Sequence, residues 1–177
     1  MNALRKLITV SALAVTMLLP SLTFAQNQHH TVVEWQSIAG VITAQGVNNP
    51  VSAHINSGTF AWSVRSGRAR VNLATGTASF EVEGLVINGT SFSGTPGPVT
   101  SVTGTLVCNA GTANEFTHDT EAVRLSSGGN ARFSGYLANE TISCGNPLFL
   151  IRIAVPEGAA GLWIATGAQR SFSDYDY

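Results

Sequence analysis

The sequence predicts an all-β, single-domain antiparallel β-sandwich or closed barrel of about ten strands with one disulfide. Three observations predict it. Short runs rich in Val, Ile, Thr, Phe and Trp alternate with clusters of Gly, Asn, Pro and Ser, at strand-like spacing and with little helical period after the first twenty-five residues. Eighteen glycines in 177 residues supply turn positions. Cys108 and Cys144, the only cysteines, suit a single cross-link closing a loop of about 37 residues, worth roughly 3 to 4 kcal/mol in the chain-entropy model.

The first element is an address and not part of the fold. Arg5 and Lys6 precede the apolar run Leu7 to Leu19, and Thr23-Phe24-Ala25 places small residues at a cleavage site, so 1–25 reads as a secretory signal peptide cut near Ala25-Gln26. The expected location is secreted or periplasmic. That run of thirteen residues, broken by Thr9, Ser11 and Thr16, falls short of the roughly 20 that span a bilayer, and no later run approaches that length, so the mature chain is expected to have no transmembrane segment. Residues 26–177 then form one all-β domain, with flexible tails expected at 26–31 and 171–177.

Val32 to Thr43 reads as a strand broken at Gly40, although Val33, Ile38, Val41 and Ile42 also fit one side of a short helix. Val51 to Asn56 and Thr59 to Val64 follow, the second with Phe60, Trp62 and Val64 alternating inward. Arg68 to Leu73 and Thr77 to Glu83 make a hairpin. A two-residue turn at Thr75-Gly76 would set Leu73 opposite Ala78, Val71 opposite Phe80 and Ala69 opposite Val82 on one face. Arg70 would then face Glu81, and Arg68 would face Glu83, on the other. This reads Arg68-Ala69-Arg70 as a solvated ion-pair face and not an anion site.

Asn88-Gly89 signals a second hairpin joining Leu85 to Ile87 with Thr90 to Ser93, which would pair Leu85 with Phe92. After a loop at Gly94 to Pro98 come Val99 to Cys108, a loop at Asn109 to Glu115, Thr117 to Leu125, and Ala131 to Leu137. Gly76-Thr-Ala-Ser-Phe80 and Gly129-Asn-Ala-Arg-Phe133 share a turn glycine followed by Ala and Phe on one side, a likeness that common hairpin chemistry explains. Leu148 to Val155 is apolar on both faces except at Arg152, the pattern of a central strand, and requires Arg152 to sit at a rim or to meet an acid. Leu162 to Arg170 closes the set.

Composition excludes more than it assigns. Without the signal the chain keeps seven arginines, no lysine and ten acids, a formal charge of −3, which argues against a nucleic-acid partner. No sequence pattern calls for a cofactor or a metal: phosphate-binding glycine loops, helical His pairs and repeated CxxC are all missing. Gly89-Thr-Ser-Phe-Ser-Gly94 approaches the serine-hydrolase elbow but carries its last glycine one place late.

The candidate catalytic residues are His118, Asp119 and Glu121, a histidine among acids with Glu115 before it, with His54 as a further group if the chain folds it against them. In a regular strand, Asp119 and Glu121 share a face and His118 takes the other. Trp35, Trp62 and Trp163 suit a core, while with Tyr136 and the terminal tyrosines they also suit a stacking surface for sugars. The expectation is a non-catalytic extracellular or envelope binding module for a glycan or protein. The alternatives are a secreted hydrolase with acids and histidines gathered from separate strands, and a structural envelope or matrix protein.

Overall fold

The computed structural model describes residues 31–155 and 159–173, so the signal segment, His29, His30 and the last tyrosines lie outside the described residues. Eleven strands and no helix appear among the described residues: β1 Val32–Gly40, β2 Trp62–Ser63, β3 Ser66–Asn72, β4 Thr77–Glu83, β5 Val86–Ile87, β6 Ser101–Cys108, β7 Phe116–Asp119, β8 Val123–Arg124, β9 Ala131–Tyr136, β10 Leu148–Ala154 and β11 Ala160–Ser173. Nine of them form one antiparallel sheet in the order β7-β6-β10-β11-β1-β3-β4-β9, with β8 also on β6, and β2 pairs β5 apart from it.

The sheet curls into a half-barrel. β7 lies along Thr105–Cys108 and β8 along Ser101–Val102 of the same strand, so the two are one edge strand interrupted between them. At the interruption the Thr120 amide donates to the Gly104 carbonyl at 2.8 Å, and the Gly104 amide donates to Thr120 Oγ1 at 3.0 Å. A side-chain hydroxyl thus completes a ladder that the bent backbone leaves. A tight turn at Ser126–Asn130 then leads from that edge into β9, the strand at the opposite edge of the sheet. No β8–β9 ladder closes the seam among the described residues, so within the expected sandwich-or-barrel class the sheet is a half-barrel.

The concave side holds the core. Trp35 and Phe149 have ring centroids 5.4 Å apart, Phe80 and Phe149 5.9 Å, and Phe80 and Phe133 5.9 Å. β6 must carry glycine opposite these rings, because a Cβ at Gly104 would stand 2.8 Å from both Phe149 Cζ and Phe80 Cδ1. Trp35, Trp62 and Trp163 are all buried. The likeness between the Gly76 and Gly129 segments is the same local chemistry twice: both glycines hold positive φ, 69° and 75°, and each precedes a strand. Those strands are β4 and β9, which lie side by side with Phe80 opposite Phe133.

Several sequence expectations shift. The first strand is extended, with no helical turn. The β3–β4 hairpin pairs Val71 with Ala78, Ala69 with Phe80 and Arg68 with Glu81, two residues away from the expected register. A shift of two keeps every side chain on its expected face and changes only its partner. The cause is Asn72, whose Oδ1 accepts the amides of Ala74 at 2.9 Å and Thr75 at 3.2 Å, while the Gly76 amide donates to Asn72 O at 2.9 Å. That asparagine turn makes a four-residue loop where two residues were expected.

The Asn88-Gly89 hairpin does not form. Leu85 is buried and donates its amide to Gly129 O, whereas Phe92 is half exposed in a run of turns. In that run Thr90 Oγ1 accepts the Phe92 amide and Ser93 Oγ accepts the Thr90 amide, both at 3.0 Å, so hydroxyls take the donors a ladder would need. Val51 to Asn56 likewise folds on itself, with the Val51 amide on Ile55 O at 2.8 Å. β11 extends beyond Arg170: Ser171, Phe172 and Ser173 pair with Glu34, Val33 and Val32, so this part of the expected tail is strand. The disulfide joins Cys108 to Cys144 as expected.

Candidate functional site

The three candidate catalytic residues lie within four positions of the sequence but engage different surroundings. His118 pairs across the ladder with Leu106, a core residue, and meets the Phe116 ring edge-on at a centroid distance of 5.5 Å. Asp119 points to the other face, where its Oδ1 accepts the Thr105 hydroxyl at 2.5 Å and lies 4.0 Å from Arg152 Nη1. Glu121 follows the strand break and borders a hollow beside β9 with Phe133 and Tyr136. The structure does not bring the three together.

Asp119 is the acid that Arg152 requires. β10 lies between β6 and β11, and its pairing with β11 shifts register on both sides of Arg152. These irregularities accompany two carbonyl contacts: Arg152 Nε donates to Gly161 O at 2.7 Å and Nη2 to Ala160 O at 2.8 Å. Burial lowers the guanidinium pKa and the Asp119 charge works against that lowering. With two carbonyls and a carboxylate around it, Arg152 is a satisfied structural charge.

Glu115 ties two loops together. Its Oε2 accepts the Gly111 amide at 2.6 Å and its Oε1 accepts the Ser52 hydroxyl at 2.8 Å. The Gly111 amide, then the Ser52 hydroxyl, and lastly the charge of His54 hold the Glu115 carboxyl below its ordinary value, against a smaller opposing effect of desolvation. The serine donates to the carboxylate and is not aimed at a base, so the arrangement is a loop tie and not a nucleophile. A carboxyl whose folded pKa is depressed stabilises the fold above its ordinary pKa, and that contribution disappears as pH falls through the depressed value. Glu115→Gln should therefore lower the melting temperature at neutral pH, and the difference from wild type should shrink as pH falls below 4.5. Melting curves across that range check it; a constant difference would contradict the assignment.

A further concavity lies elsewhere, on the outer face of β1, β3, β4 and β9. It is a trough of about 550 Å³ whose polar lining includes Glu34, Arg68, Arg70, Glu81, Arg132 and Ser134. Cross-strand register builds it: Glu34, Arg70, Ser79 and Ser134 form one row, and Arg68, Glu81 and Arg132 the next. Arg68 reaches Glu81 at 3.5 Å and Arg70 reaches Glu34 at 3.4 Å, so the expected ion-pair face exists with partners set by the shifted register. A second hollow, sharing Arg70, Ser79 and Ser134, continues the trough to Thr77 and Tyr136.

Sequence reasoning missed this surface because its strands are far apart in the chain. The available signal was the alternation Arg132, Ser134, Tyr136 against Ser79 and Glu81, legible only once β4 and β9 are known to be neighbours. No group of three or more His, Cys, Asp or Glu among the described residues is placed to hold a metal ion. No protein-family model, curated protein or solved structure matches the chain.

Proposed function

We propose that the chain is an exported, non-catalytic binding module whose ligand seat is the outer trough of β1, β3, β4 and β9. The observation that carries this reading is the trough itself: a concavity of about 550 Å³, lined by charged and hydroxyl side chains together with apolar ones and built on four paired strands instead of loops. A site on paired strands is held in position before a ligand arrives, which reduces the ordering cost of binding. The divergence of His118, Asp119 and Glu121 supports binding over hydrolysis.

The trough suits a glycan or a polypeptide segment, and placement in the periplasm or outside the cell follows from the leader reading of 1–25. The test combines a glycan array with a pull-down from the cell envelope, each run with wild type and with Ser134→Trp, which fills the trough from an exposed strand position. The expected result is a ligand retained by wild type and lost by the variant at unchanged melting temperature. Blank results in both assays, or a ligand held equally by the variant, would overturn the reading.

A further inference from the structure

We infer that the β4–β9 half of the trough is a subsite for an acidic carbohydrate, in which Arg132 holds the anionic group and Tyr136 stacks on a sugar ring. This rests on the trough being the ligand seat and adds the class of ligand. The carrying observation is a line of unengaged groups. Arg132 is exposed, and its guanidinium has no hydrogen bond or ion pair among the described residues, although its register partner is Glu81. Glu81 instead faces Arg68 at 3.5 Å. An arginine is thereby left beside a carboxylate already engaged, in a concavity, with its planar fork available for a carboxylate or sulfate.

Next along the strand, Ser134 lies opposite Ser79, and neither hydroxyl makes a hydrogen bond among the described residues. Next again comes Tyr136, 60% exposed and bordering the continuation of the trough. Residues at i, i+2 and i+4 of a strand point the same way, and the span from Arg132 to Tyr136 is about 13 Å. A cation, a pair of hydroxyls and an aromatic face thus stand in a row, each without an intramolecular task among the described residues. An oligosaccharide bearing acidic groups offers the matching sequence of anion, hydroxyls and apolar ring face. An acidic peptide would satisfy Arg132 but has no regular use for the hydroxyl pair.

The test is isothermal titration of the purified protein with a short oligogalacturonate, a heparin-derived oligosaccharide of equal length and a cello-oligosaccharide. At least one acidic probe should bind, with affinity falling as salt rises, and the neutral probe should bind far more weakly. Binding of the first alone assigns a uronate, of the second alone a sulfate, and either supports the inference. Arg132→Ala should weaken the acidic probe roughly ten- to a hundredfold, Arg132→Lys less, and Tyr136→Phe should retain what Tyr136→Ala loses. Both positions are exposed, so the variants should melt as wild type does.

Equal binding of the neutral probe, or wild-type affinity in Arg132→Ala, would overturn the inference. If none of the three binds while Ser134→Trp abolishes capture of some other ligand, the acidic-carbohydrate assignment falls and the trough stands. If Ser134→Trp blocks nothing, both fall.

Discussion

Phe149→Ala is expected to destabilise the protein by about 3 to 5 kcal/mol, the range for truncating a fully buried aromatic side chain. Phe149 is fully buried in a central strand, and its ring meets both Trp35 and Phe80. Removing it leaves a void between strands that are not consecutive, since β10 lies far from β1 and β4 in the chain. The lining cannot collapse easily, because Gly104 already lets the rings approach β6 and no further side chain is present there to fill the gap. For a domain of this size the change corresponds to a fall of roughly 10 to 15 °C in melting temperature. Phe149→Leu, which keeps most of the buried volume, should lose less than half as much. A melting temperature within a few degrees of wild type for Phe149→Ala would mean that the aromatic cluster is not the centre of the core.

The second large effect is expected from replacing both Cys108 and Cys144 with alanine. The disulfide spans 36 positions, from the buried end of β6 to the segment before β10. Opening that loop in the unfolded chain costs the native state about 3 to 4 kcal/mol of relative stability in the chain-entropy model, a loss of roughly 10 °C. Alanine at both positions avoids burying a hydroxyl at Cys108, which is fully buried, and so separates the loss of the cross-link from the loss of packing. Urea unfolding of the oxidised protein and of the double variant measures the difference directly. Equal midpoints would show that the cross-link adds nothing to the fold.

The strand-and-turn pattern was legible in the sequence because each strand that buries one face alternates with period two, as β4 does throughout Thr77–Glu83. The central strand β10 was legible from an apolar run that only Arg152 interrupts, and the requirement that Arg152 meet an acid was legible from the cost of burying a charge. The β3–β4 register was not, because the Asn72 side chain accepts the amides of Ala74 and Thr75 and so favours a longer turn than the Thr75-Gly76 pair signals. The failed Asn88-Gly89 hairpin has the same origin: neighbouring hydroxyls at Thr90 and Ser93 captured the amides.

The trough depends on a still longer-range fact. β3 and β4 are joined by a hairpin, but in the chain β5, β6, β7 and β8 intervene between β4 and β9. Local periodicity says that Arg132, Ser134 and Tyr136 share a face and nothing about which strand they face. The candidates chosen for being close in sequence, His118, Asp119 and Glu121, were separated for the complementary reason: strand alternation turned the first two apart, and the break at Thr120 removed the third from the ladder.

Residue-resolved amide chemical shifts, followed by NMR while oligogalacturonate is added, test the central claim that ligand occupies the outer trough. The account predicts saturable shifts concentrated at Ser79, Glu81, Arg132, Ser134 and Tyr136, with Phe116 to Asp119 and the loop at Gly111 unmoved. Shifts centred on β7 and the Glu115 loop, with the β4–β9 face silent, would contradict it.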